Sequence, residues 1–183
     1  MTNNNDELGA FTAPGEVRLV RLLPGPIERL WEYLTNPEKR ALWLAGGPME
    51  VRIGGALELR FRHGDLTAEE TPEEYRDMGD SCSFTGRVTR CEPPRLLSYT
   101  WGFPEGSEVT FELTPQGDKV LMVLTHCGLG GEKDTVPGVA AGWHSHAALL
   151  IARLEGAKPP GFWATFTRLR PEYAKLFEQQ AGS

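Results

Sequence analysis

Two hydrophobic periodicities, laid down in a set order, constrain this chain more than any single motif. A strand-like run at Glu16–Leu23 precedes a helical segment over Ile27–Leu44, five further strand-like runs follow, and a long helical stripe centred on Gly142-Trp143-His144-Ser145-His146 comes late. Strands at short intervals with no helices between them pair as an antiparallel meander, not as βαβ units. The expected fold is therefore α+β: one curved antiparallel sheet wrapped around a long late helix, an arrangement that tends to enclose an apolar cavity.

The local signals fix the boundaries. Residues 1–14 are polar and are expected to form a flexible N-terminus. Pro24-Gly25-Pro26 stops the first strand, and Ile27, Leu30, Trp31 and Leu34 share one helical face. Thr35-Asn36-Pro37-Glu38 reads as a fresh N-cap, with Glu38 placed to complete a capping box. Leu57, Leu59 and Phe61 alternate with Glu58, Arg60 and Arg62, and Cys82, Phe84 and Val88 alternate with polar residues in the same way. After Leu96–Trp101 and the run through Val109, Phe111 and Leu113, Gln116-Gly117-Asp118-Lys119 is a hairpin turn into Val120–His126. The late helix is expected from Val136-Pro137 to Glu155, closed by Gly156, with Val139, Trp143, Ala147, Leu150 and Leu154 as its stripe. One domain over 15–157 results, carrying an insertion at 64–80 and followed by a helical extension at 158–183.

Charge excludes one class of partner. The net charge of −6 resides in the insertion, where Gly64–Asp80 holds seven acids and one base, and the other 18 acids and 18 bases cancel. Nucleic acid binding needs a basic footprint that this surface lacks. The acidic run reads as a solvated loop, or else as a dock for a basic partner. No apolar stretch approaches the ~20 residues of a membrane span. The first residues carry no secretory signal, and Cys82, Cys91 and Cys127 form no CxxC pair, so reduced thiols in the cytoplasm are expected.

Several segments together resemble a known family. Trp31-x-x-Leu34-Thr35-Asn36-Pro37-Glu38 followed by Trp43, Gly54-Gly55-Ala56-Leu57 entering a strand, and Gly142-Trp143 ahead of Leu150 are similar to START-like (SRPBCC) proteins of the activator of heat-shock-protein ATPase homologue type. The resemblance spans about residues 16–156. It implies a helix-grip fold with a pocket between the late helix and the sheet, and no single activity, since relatives include co-chaperone domains, lipid and hormone carriers and polyketide cyclases. The acidic insertion and the tail after Pro159 fall outside the shared core.

The candidate ligand-binding residues are Trp31, Phe61, Phe84, Trp101, Phe111, Trp143, His146 and Leu150, which lie on the expected inward faces. Inward aromatics are equally well plain core. His146 flanks the stripe and could offer a hydrogen bond to a ligand, or be satisfied at the helix edge. His144 and His146 point about 200° apart on a helix, so they cannot share a metal, and no metal or cofactor is expected. His144 is expected to face solvent or to pack on the tail. Arg21 is exposed if Val20 and Leu22 point inward and buried in the opposite register. Gly128–Lys133 lacks either nucleotide fingerprint, and no nucleophile or paired-carboxylate motif appears, so catalysis is not expected. The leading expectation is binding of a small apolar or amphipathic ligand. The alternatives are a co-chaperone-like interaction domain and, more weakly, a cyclase, dehydratase or hydrolase using His146. Apolar residues in the tail would allow a homodimer.

Overall fold

A computed structural model describes residues 5–78 and 81–182. Seven strands form one antiparallel sheet: β1 (Ala10–Ala13), β2 (Glu16–Pro24), β3 (Ala56–Arg62), β4 (Ser81–Glu92), β5 (Leu96–Trp101), β6 (Ser107–Gln116) and β7 (Lys119–Cys127). Their order is β1-β2-β7-β6-β5-β4-β3. Between β2 and β3 lie α1 (Ile27–Thr35) and α2 (Pro37–Ala41); α3 (His63–Leu66) and a 3-10 turn (Glu73–Met78) belong to the insertion; α4 (Thr135–Glu155) and α5 (Phe162–Ala181) end the chain. This is the helix-grip α+β fold expected from the order of the periodicities.

Where a strand has one buried face, alternation places it well. Val17, Leu19 and Leu23 are buried on β2, and Leu57, Leu59 and Phe61 on β3. The β6–β7 turn falls at Gly117, which takes φ +64°, a conformation glycine reaches without strain. Gly156 closes α4 at φ +66°. Thirteen of the 21 residues of α4 are buried, because the sheet covers one side and α5 the other. A single apolar stripe therefore understates what this helix packs against.

Three expectations need correction, and one open alternative is resolved. Residues 5–14 carry structure where none was expected: Ala10–Ala13 add an edge strand to β2, and the Asn5 side chain exchanges hydrogen bonds with the backbone of Leu22 at 2.9 Å each way. Their signal was missing because a short edge strand needs no alternation. The cap of α2 is Asn36, whose side chain accepts from the N–H groups of Glu38 and Lys39, whereas the Thr35 hydroxyl turns back to Trp31 O at 2.9 Å. Of the two registers open for Arg21, the buried one is found, since Val17, Leu19 and Leu23 point inward; its guanidinium donates to the carbonyls of Val20 and Glu7 at 2.8 and 3.0 Å. Cys82, at the free end of β4, is exposed. In the tail, Phe162, Trp163, Phe166, Leu169 and Tyr173 are buried within the chain, and Leu176 and Phe177 remain half-buried.

Candidate functional site

The end of β3 starts an aromatic cluster. Phe61 is followed at once by α3, so His63 stacks on it with ring centroids 5.9 Å apart. Strand pairing brings Phe84 alongside at 5.5 Å and Trp101 at 5.7 Å. From above, α4 contributes Trp143, 5.0 Å from Trp101 and 5.8 Å from Phe111, and His146, 6.3 Å from Phe61. The first turn of α5 closes the side: Phe162 lies 4.8 Å from His146 and 5.0 Å from His63. His63, Phe84 and Trp101 remain half-buried and form the accessible rim.

Behind this rim runs a saturated polar chain. The Trp143 Nε1–H donates to His126 Nδ1 at 2.9 Å, which leaves the other ring nitrogen of His126 protonated and facing the Ser107 hydroxyl at 3.1 Å. All three side chains are buried. Burial holds the His126 pKa down at about 3, so the ring is neutral and every hydrogen bond is between uncharged groups.

His146 is fixed differently. Its Nδ1–H donates to the Trp43 carbonyl at 2.7 Å, leaving Nε2 as a lone pair directed away from that loop. Burial, reinforced by His63, pushes its pKa to about 3, against the smaller opposing pull of the Trp43 bond. The loop carrying that carbonyl is held by Arg40. Its buried guanidinium donates to the carbonyls of Leu34, Thr35, Ala45, Gly46 and Gly47. Five donors in a rigid fork suit a guanidinium and no other side chain.

The insertion and the C-terminal extension are clamped together over the cluster. Pro159-Pro160-Gly161 offers no side-chain oxygen to cap α5, and the cap arrives from 94 to 95 residues upstream. Glu69 accepts from the N–H groups of Trp163 at 2.8 Å and Ala164 at 3.3 Å, and the Thr67 hydroxyl from that of Phe162 at 3.3 Å. A Cβ at Gly161 would meet the Glu69 carboxylate, so a larger residue there would push the cap aside. Tyr75 stacks on Trp163 at 5.1 Å and 9°. Glu69 is thus a structural cap in a run read as solvated loop or dock, while Asp65, Glu70, Glu73 and Glu74 are exposed as expected; Asp80 lies outside the described residues. At the far end of α5, Gly9 N–H donates to the Tyr173 hydroxyl at 2.7 Å, and that hydroxyl is hydrogen-bonded to His144 Nδ1 at 2.9 Å. His144 therefore packs on the tail and does not face solvent.

Ring contacts join six of the eight expected site residues: Phe61, Phe84, Trp101, Phe111, Trp143 and His146. Leu150 is fully buried one turn further along α4, and Trp31 is half-buried on α1 outside the cluster. His63, Phe162 and Trp163 were missed. A lone Tyr75 in an acidic run, and three aromatics just after Pro-Pro-Gly, were the available signs that both segments dock. Among the described residues no three His, Cys, Asp or Glu side chains converge as a metal site, and no helix is long and apolar enough to cross a membrane. Two open surface recesses, of about 790 and 670 Å³, are lined by charged and small residues and include no member of the aromatic cluster.

Comparison with known proteins agrees with this architecture. The solution structure of the protein encoded by BPP1335 of Bordetella parapertussis is 41% identical, with 94% of each chain covered and a TM-score of 0.77. CalU16 from Micromonospora echinospora is 22% identical, covering 94% of this chain and 96% of its own, with a TM-score of 0.65. The Aha1 dimer from Colwellia psychrerythraea is 15% identical over 78% of this chain and 98% of its own, with a TM-score of 0.58. No curated protein matches. The family model described as "Activator of Hsp90 ATPase homolog 1-like protein" matches residues 24–155, from α1 through strands β3 to β7 to the end of α4, and the chain belongs to that family.

Proposed function

We propose that this protein binds a small apolar or amphipathic molecule against the aromatic cluster between α4, the sheet and the first turn of α5. The observation that supports this reading is the continuous run of rings from Phe84 and Trp101 through Phe61 to His146 and Phe162, part of which stays open at the rim. Phe61, Phe84, Trp101 and His146 would line the site, backed by Phe111, Trp143 and Leu150, while Trp31 supports α1. Phe162 occupies the mouth, so a ligand enters as the first turn of α5 lifts. Thermal melts with a panel of lipids and flat aromatics test the reading, because a ligand that binds the folded state raises Tm by mass action. Unchanged melting at saturating concentrations of every member would remove it.

A co-chaperone-like interaction is the second reading, supported by the family and by the exposed carboxylates of Glu70, Glu73 and Glu74. Its test is salt-sensitive binding to a heat-shock chaperone, lost when these three are changed to glutamine. Glu69 must be left in place because it caps α5. An enzymatic role for His146 finds no support: a ring whose pKa lies near 3 is a weak proton acceptor at neutral pH.

A further inference from the structure

α5 carries Pro171 near its middle, and the two halves of the helix are held by different parts of the chain. Proline at 171 offers no N–H to the Thr167 carbonyl and its ring crowds that carbonyl, so the helix is weakest there. Beyond Pro171, Tyr173 is bound to Gly9 and His144, the Phe177 ring lies 5.2 Å from that of Phe11, and Glu178 pairs with Lys133 at 2.8 Å. Before Pro171, the insertion takes over. Thr67 and Glu69 cap the first turn, and the Tyr75 ring lies 5.1 Å from Trp163 and 5.3 Å from Phe166, while its hydroxyl accepts from Arg170 at 3.3 Å. Among the described residues, every long-range hydrogen bond and ring contact of Thr67, Glu69 and Tyr75 goes to this half of α5.

Neither piece stands alone. A half-helix this short is not stable in water by itself, and Pro159-Pro160-Gly161 gives it no side-chain cap. The docked position also leaves a donor unmet: Trp163 Nε1–H is buried without a partner and would regain one from water once this half moved out. Phe162, in the same first turn, covers His146 and His63. We infer that α5 is jointed at Pro171, and that its first half and the insertion dock and undock as one lid while the second half stays in place. On the proposed binding reading, this lid is the entrance to the aromatic cluster.

Hydrogen exchange of the full chain, without ligand, tests the joint and the shared motion. Glu69→Ala should speed exchange about tenfold, the worth of a cap, from the first turn through residue 170. The same factor should appear at the Tyr75 amide, which bonds Pro72 O at 2.9 Å inside the insertion, and 173–181 should be unchanged. Tyr75→Leu, which leaves both capping residues in place, should speed the same two segments together. Pro171→Ala, which gives the Thr167 carbonyl its donor, should slow exchange over 163–170 several-fold. Acceleration confined to the first turn, or to the segment that carries the substitution, would overturn the shared lid. Acceleration running on through the end of α5, or no slowing in Pro171→Ala, would overturn the joint. None of these measurements needs a ligand, so they stand or fall apart from the binding reading, which the thermal melts decide.

Discussion

The polar groups behind α4 are all paired, whereas two at the α5 seam are not. His126 and Trp143 are 0% and 3% exposed, and each nitrogen of their side chains has a partner. His146 and Trp163, at 6% and 5%, each keep one nitrogen unpaired. Burial alone therefore does not account for the difference. Saturation marks the centre as finished core, and the unpaired atoms mark the seam as the place where an outside group gains most.

Acid should have the largest effect, and it should act on both regions together. Burial lowers the pKa of all four histidines; for His144, Arg21 and Arg168 add to the effect. Folded-state values of about 3 for His126 and His146 and about 4 for His144 lie below the unfolded value near 6.5, so the unfolded chain takes up protons first. Stability is full above about pH 6.5 and falls below it, by up to about 1.4 kcal/mol per pH unit for each histidine held neutral. Urea midpoints between pH 7.5 and 4.5 should drop by several kcal/mol equivalent, and a flat profile would contradict the dry neutral core. Next in size, Trp143→Ala should cost about 3–5 kcal/mol, as large-to-small core changes do, with ligand affinity little changed. A smaller loss joined to weaker binding would move Trp143 from core to lining.

A matched pair sharpens the contrast further. Trp143→Phe strands His126 Nδ1, whereas Trp163→Phe removes an N–H that already lacks a partner. The first should be worse than the second by about 1–3 kcal/mol in chemical unfolding; equal losses would show that the two sites do not differ in saturation. Smallest is Glu69→Ala, which uncaps α5 at a cost of about 0.5–2 kcal/mol. Its signature should be faster hydrogen exchange in the first turn of α5 with the β6–β7 amides unchanged.

Elements with a wet face and a dry one were legible in the sequence. β3, β6, β7 and α4 lie where alternation or helical spacing put them, because a one-residue slip in such a strand would expose its whole apolar set. β1 was not legible, since a short edge strand with little to bury carries no such pattern. The ring cluster was half legible: inward positions named Phe61, Trp101 and His146, but His63 precedes an acidic stretch that looked solvated. Glu69 was indistinguishable from Glu70, because its role depends on an α5 terminus that lies more than 90 residues away. Arg21 stood between two registers and Ser107 gave no sign of burial, as both are ordinary surface residues until a partner element arrives. Long-range pairing, and not local propensity, decided each of these.

Arg40 touches no ring of the candidate site, yet it determines which nitrogen the site presents. The carbonyls it gathers at Ala45, Gly46 and Gly47 immobilise the loop that follows Trp43, and the Trp43 carbonyl in turn claims the His146 Nδ1 proton. Were that carbonyl free to turn away, imidazole could exchange tautomers, and the atom facing the seam would change from acceptor to donor. Lysine at position 40 would keep the charge but could not hold five carbonyls. Which nitrogen faces the seam is in this sense written into a loop that never reaches it.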